Sequence, residues 1–277
     1  MNITASQVNE LRKQTGAGMM DCKKALVESN GDMEKAIDLL RKKGQKVAAN
    51  RADRDAKDGV VLSKTSADNS YAAVLMINCE TDFVAKNEDF VKYAERILDL
   101  AVANKVKEVE SLKKLQLSDE RTVEETIIDQ TGVIGEKIDL GGFEAIEAPL
   151  TAAYIHPGNR LATIVGLNLN NNEKLAQIGR ELAMQVAAMD PVGVDEHDVS
   201  DEVIRREIEV GMEQARNEGK PEEMLEKIAK GKLNKFFREN TLLNQDFVRE
   251  NKKTVRQYLS EVDKELTVTA FKRLMLG

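Results

Sequence analysis

The sequence predicts an α+β protein: short helices first, then a two-part core of strands and helices, with a charged helical hairpin inserted late. Three observations carry this. The first 45 residues hold three helix-length segments separated by glycine-containing breaks. A strand–loop–helix pattern then occurs twice, and residues 199–237 turn heavily charged with apolar positions at helical spacing. At 277 residues, 42% hydrophobic and 32% charged, the chain is long enough for a substantial core in two or three domains and too apolar for disorder.

Thr4 can N-cap a helix with Gln7 at its third position, and Ile3 can staple onto Val8, so a helix is predicted from Ala5. It stops at Thr15-Gly16-Ala17-Gly18, where two glycines permit a tight turn. A second helix is predicted from about Met19 to Ser29, closed by Asn30-Gly31. Asp32 caps a third, with Met33, Ile37 and Leu40 along one face and its end at Gly44. Helices this short bury little alone, so residues 1–45 read as a docking module. Residues 46–58, polar and alanine-rich, read as a helical or loosely ordered linker.

Beyond Gly59 the first unit is a strand at 71–79, a loop at 81–87, and an amphipathic helix from near Asp89 with Phe90, Ala94, Ile97 and Ala101 inward. The second is a strand at 160–167, a loop at 168–172, and a helix with Leu175, Gly179, Leu182 and Val186 inward. The helical positions match residue for residue at an offset of 85. The first loop is the longer, and its extra residues carry the Asp82-Phe83 pair. Between the units, 112–131 reads as mostly helical and leads through 132–138 to a second strand region at 143–147. Residues 154–158 read as a turn before the second unit's strand, and Pro191 ends that unit's helix.

The core halves are therefore placed at 59–142 and at 143–196 with 239–277, and the hairpin at 197–238. In the hairpin Ile204, Ile208, Met212 and Ala215 face Leu225, Ile228, Ala229, Leu233 and Phe236 across a bend at Gly219-Lys220-Pro221. Its length would let it pair with a second copy or a partner. Phe247-Val248, a helix around 255–259 and a closing strand at 266–271 complete the core.

A net charge of −7 argues against general nucleic-acid binding, which rests on phosphate neutralisation. The locally basic stretch 41–46 reads as a solvated helix end and linker. No apolar run approaches the ~20 residues of a membrane span. The first four residues lack the features of an export signal. Cys22 and Cys79, far apart and without CxxC spacing, fit a reducing cytoplasm.

Catalytic material is sparse. His197 stands in a polar, acidic stretch. Cys79 and His156 flank corresponding strands and could form a thiol–imidazole pair, although a cysteine ending an apolar strand usually behaves as a small hydrophobe. Two Cys and two His show no metal-ligand spacing, and Gly16-Ala17-Gly18 is a helix-to-helix turn, not a phosphate loop. The chain reads as one that acts by contact. In the 81–87 loop a Phe beside an Asp, among only seven Phe and no Trp, either reaches out for a partner or tucks beneath its own loop. Enlargement of that loop in one copy alone favours contact.

Residues 11–26, through Thr15-Gly16-Ala17-Gly18-Met19-Met20-Asp21-Cys22, resemble the signature at the start of translation elongation factor Ts. Residues 78–87, Asn78-Cys79-Glu80-Thr81-Asp82-Phe83-Val84-Ala85-Lys86-Asn87, resemble that family's second signature. The resemblance covers essentially the whole chain. It implies a ubiquitin-associated-like helical module, related core subdomains and a coiled-coil hairpin. It also implies a cytoplasmic guanine-nucleotide exchange factor that binds elongation factor Tu·GDP and promotes GDP release, allowing GTP to reload during protein synthesis.

By the same resemblance, Thr81, Asp82, Phe83 and Val84 disturb the Mg²⁺ held by Tu. Met19, Met20 and Lys23 face its G domain, Ile134, Gly135 and His156 match interface positions of the core, and Val248 lies near the nucleotide end. It implies no cofactor beyond the partner's Mg²⁺ and GDP, and no nucleic-acid or membrane contact; a homodimer or two-to-two complex through the hairpin stays open. Two departures stand out. Gly141-Gly142 occupy a place where family members often carry a basic pair. The chain stops at Leu276-Gly277, soon after its last strand, so the extra C-terminal helical module of longer members is expected to be missing. Against this stand a protein-binding adaptor with an oligomerising hairpin and a thiol enzyme.

Overall fold

A computed structural model describes residues 3–118, 121–250 and 252–277. Three helices open the chain: α1 (Ala5–Thr15), α2 (Met19–Glu28) and α3 (Met33–Arg51). Thr4 and Gln7 form the reciprocal capping box, Gly16 takes the left-handed conformation that ends α1, and Asp32 accepts the Lys35 N–H to start α3. Val8, Leu11, Cys22, Leu26 and Ala36 form a small core, with Ile3 against it.

There follow β1 (Asp58–Thr65), β2 (Tyr71–Cys79), a one-turn helix α4 (Asp82–Ala85), α5 (Glu88–Ala103) and α6 (Val109–Lys113). A small hairpin, β3 (Gln116–Ser118) and β4 (Arg121–Thr122), leads into α7 (Val123–Ile134) and β5 (Asp139–Glu147). The second half holds β6 (Leu150–Ile155), β7 (Leu161–Leu167) and α8 (Lys174–Met189). After a 3-10 turn (Glu196–Asp198) come α9 (Asp201–Asn217), α10 (Glu222–Asn240), α11 (Val255–Val262) and β8 (Val268–Met275).

Apart from the β3–β4 pair, the strands of the described residues make two three-stranded antiparallel sheets, β1-β2-β5 and β6-β7-β8. One face of the first sheet packs on α5 through Leu75, Ile77, Phe90, Ile97 and Ala101. One face of the second packs on α8 through Val165, Leu167, Leu175, Leu182 and Val186. The remaining faces meet each other through Val61, Ala72, Val74, Ile146, Ala162 and Ile164. The order is helix, sheet, sheet, helix. Burial of β2 on both faces explains its unbroken apolar run.

Several expectations are corrected. Helix α3 does not end at Gly44 but continues to Arg51, taking up half of the expected linker. Gly44 is where α3 crosses α7: a Cβ on Gly132 would lie 2.3 Å from the Gly44 Cα, so both glycines serve close helix approach. The stretch 112–131 is helical at 112–113 and 123–131, as expected over most of its length, but the helix is interrupted between them. Leu115 and Leu117 reach the core at a spacing of two, and β3–β4 stands there before α7. Residues 119 and 120 of that stretch lie outside the described residues.

The division at 142/143 falls inside β5, which pairs with β2 from Asp139 to Glu147. Strands β1 and β6 add to the predicted strands, and Tyr154-Ile155, expected in a turn, end β6. Strand β8 runs past Phe271 to Met275 because its charged residues find partners: Lys272 pairs with Glu144 at 2.9 Å and Arg273 with Asp190 at 3.2 Å. In the hairpin Ala215, Leu225 and Ala229 are buried, and a Cβ on Gly211 would lie 3.2 Å from the Ala229 Cα.

Candidate functional site

Residues 81–87 form a helical turn rather than a loop. The Ala85 N–H donates to the Thr81 carbonyl at 3.2 Å and the Lys86 N–H to the Asp82 carbonyl at 3.0 Å. Lys86 Nζ reaches Asp82 Oδ2 at 2.6 Å, the i,i+4 arrangement that suits a helix. That bond holds the Asp82 carboxyl below the usual range. Val84 and Ala85 pack onto the first core, and Asn87 caps α5 by accepting the Asp89 and Phe90 N–H groups. Phe83 is left outside, 83% exposed. Of the two readings of this residue, self-packing is excluded.

The turn is held at its start. Glu136, just past the left-handed Gly135 that ends α7, accepts three hydrogen bonds: from the Glu80 N–H at 3.2 Å, the Thr81 N–H at 3.0 Å and the Thr81 hydroxyl at 2.7 Å. Glu80 in turn accepts from the Lys137 N–H at 2.6 Å and from Arg51 at 2.7 Å, with Arg54 at 3.8 Å. The Lys137 N–H above all, then Arg51, hold the Glu80 carboxyl low against its desolvation.

The other predicted residues spread over one chain but not one cluster. Ile134 packs against the first core, and Gly135 adjoins the Glu136 anchor, so both sit beside the Thr81 corner. Met19 and Met20, 54% and 63% exposed, share the open face of α2 with Lys23 and with Val27, a fourth member of that face. His156 stands exposed in the turn after β6, its Nδ1 3.0 Å from the Tyr154 hydroxyl. That turn is fastened to β1 by Val61 N–H to Asn159 carbonyl at 2.7 Å and by Arg160 to Asp58 at 2.9 Å. Asp58 pairs with Cys79, so the turn lies toward the Thr81 end of the first sheet. Val248, 40% exposed, is placed far along the chain by its N–H bond to buried Gln185 at 2.9 Å.

The Cys79–His156 pair is not assembled. Cys79 is buried, its thiol donates to the Thr81 carbonyl at 3.1 Å, and burial followed by the Glu136 charge pushes it up to about 12. A thiol held so high is no nucleophile at neutral pH. Among the described residues no three His, Cys, Asp or Glu form a metal-holding group, and no helix is long and apolar enough to cross a membrane. Gly141 also has a structural reason. It is the extra residue in an irregularity of the β2–β5 pairing, and a Cβ there would lie 1.7 Å from Asn78 Oδ1.

The family model described as Elongation factor TS matches residues 80–277. Proteins named elongation factor Ts from Christiangramia forsetii and Amoebophilus asiaticus are each 49% identical to the chain over 277 residues. The first comparison covers 99% of both chains and the second 100% of both. A third, from Cytophaga hutchinsonii, is 50% identical over 275 residues, 99% of each chain. The chain belongs to the elongation factor Ts family. Elongation factor Ts is the nucleotide exchange factor of elongation factor Tu, a protein of translation elongation and not a catalyst in the usual sense. The adaptor reading is not favoured.

Sequence reasoning missed Glu136, Glu80 and Arg51 as parts of the site. Glu80 stands within the 78–87 signature, but nothing local marks its partners, because Glu136 meets Thr81 across 55 residues of chain and Arg51 meets Glu80 across 29.

Proposed function

We propose that this member of the elongation factor Ts family releases GDP from Tu by pressing the Thr81–Val84 turn against the Mg²⁺ end of the partner's nucleotide site. The observation that carries it is the fully presented Phe83 on a turn anchored by Glu136. Mg²⁺ demands near-ideal octahedral geometry, so a small displacement of its surroundings weakens it sharply. Phe83 acts as the wedge, Asp82 engages polar groups beside it, and Thr81 and Val84 set the turn. GDP and this protein then oppose one another on Tu, and the opposition is reciprocal.

Met19, Met20 and Lys23 dock on the G domain, with Ile134, Gly135, His156 and Val248 as further contacts. The protein needs no cofactor of its own and acts on the partner's Mg²⁺ and GDP. It works in the cytoplasm without direct nucleic-acid or membrane contact. Residues 1–45 form the ubiquitin-associated-like docking unit, 46–58 join it to the core, and 59–147 and 148–196 with 239–277 are the related core halves. The hairpin at 197–238 is where a second copy would pair. Burying one Phe contributes roughly 1.5–3 kcal/mol. Directed wholly at the GDP state, that is about 10- to 100-fold in rate.

The test is GDP release from Tu loaded with a fluorescent GDP, chased by excess unlabelled GDP with and without this protein. Acceleration that saturates with protein concentration is expected; release at the unassisted rate would rule out exchange by this chain.

A further inference from the structure

Phe83 draws no support from the core, and the helix that carries it is a single turn, which bears the cost of nucleation without the gain of propagation. Its N-cap residue, Thr81, does not cap it with the side chain. That hydroxyl goes instead to Glu136, together with the Thr81 and Glu80 N–H groups. A carboxylate taking three donors from two adjacent residues fixes both the position and the tilt of the corner that launches the turn.

The anchor does not stop there. The residue after Glu136 donates its N–H to Glu80, whose same oxygen accepts from Arg51, the last residue of α3. Lys137 Nζ adds bonds to the carbonyls of Ala52 at 2.8 Å and Arg54 at 3.1 Å. Segments 51–54, 80–81 and 136–137 thus meet in one knot. Helix α3 also forms the third wall of the N-terminal helical unit and crosses α7 at Gly44 and Gly132. The exposed face of α2 and the exposed Phe83 are therefore mounted on a single framework.

We propose that Glu136 and Glu80 are positioning residues that hold Phe83 at a set orientation to the N-terminal helices, so that docking through α2 aims the turn at its target. The proposal rests on the exchange reading above. Neither carboxylate touches the nucleotide or the metal; both act through Thr81 and Phe83. Losing the knot leaves the docking face in place and takes away the aim.

The test compares the parent, Glu136→Ala and Arg51→Met, each with and without Phe83→Ala, for affinity to Tu and for GDP release at saturating protein. Glu136→Ala is expected to keep affinity within about threefold and to slow saturated release about tenfold, ~1.4 kcal/mol. Arg51→Met, which cuts only the link to α3, is expected to slow it about threefold. In either background Phe83→Ala should cost clearly less than in the parent, because a wedge without orientation has little left to lose. Should Glu136→Ala unfold, as its thermal transition would show, Arg51→Met and its pairing with Phe83→Ala decide alone. Parent rates in both single variants, or a Phe83→Ala cost unchanged between backgrounds, overturn the lock. Parent exchange by Phe83→Ala alone overturns the wedge reading on which this proposal rests, whatever the Glu136 variants do.

Discussion

The two strand–helix units differ where they connect, not where they pack. Phe90, Ala94, Ile97 and Ala101 of α5 are buried against β1 and β2, and Leu175, Gly179, Leu182 and Val186 of α8 are buried against β6 and β7, each pair 85 residues apart. Each central strand also has an irregularity against its outer partner, at Met76/Ile77 in β2 and at Gly166/Leu167 in β7. Between strand and helix the first unit inserts α4 and its exposed Phe83. The second has a polar link through Asn170-Asn171-Asn172, in which Asn172 accepts the Lys174 N–H at 2.9 Å. The scaffold is used twice and the probe is built once. Packing serves both halves alike; only the first connection presents an exposed aromatic side chain.

The comparison can be attacked first where the halves match. Ile97→Ala and Leu182→Ala remove fully buried side chains at equivalent positions and should each lose about 2–5 kcal/mol in denaturant unfolding. A loss confined to one half would break the equivalence. Gly141→Lys comes next. Its Cβ overlaps the Asn78 side chain, which donates to the Asp58 carbonyl, so about 1–3 kcal/mol of destabilisation is expected. Unchanged stability would show that β5 yields there without strain.

Smaller still is a pH effect at Glu80. Its carboxyl is held below the ordinary 4.5, so its stabilising contribution is complete above that value and is lost as pH falls through the depressed one. Thermal unfolding of the parent and of Glu80→Gln should therefore differ by a constant amount from pH 7 to about pH 5 and converge under acid. A difference that vanishes already near neutrality would contradict the knot. Smallest is Asn171→Ala in the second connection, expected within about 0.5 kcal/mol of the parent, with exchange unaltered.

Much of this was legible in the chain. The caps at Thr4 and Asp32, the helix faces of both units and the two stripes of the hairpin follow from local chemistry and period. Misreadings came where a residue type has two uses. Gly44 looked like a stop and is a crossing point, because the partner glycine lies 88 positions away on α7. Leu117, read as helical beside α6, lies in the short strand β3, and Leu115 just before it reaches the same core. The exposure of Phe83 could be argued from the uneven loops, whereas its anchoring could not. Glu136 and Arg51 become part of the site only once α7 and α3 end beside the same corner.

The central claim is that Phe83 acts in nucleotide release more than in docking. Stopped-flow measurement of GDP release from Tu at saturating Phe83→Ala, with affinity titrated on the same preparation, tests it directly. A release rate reduced roughly 10- to 100-fold with affinity changed far less is the expected result. Release at the parent rate, or a loss of affinity that accounts for the whole effect, would contradict it.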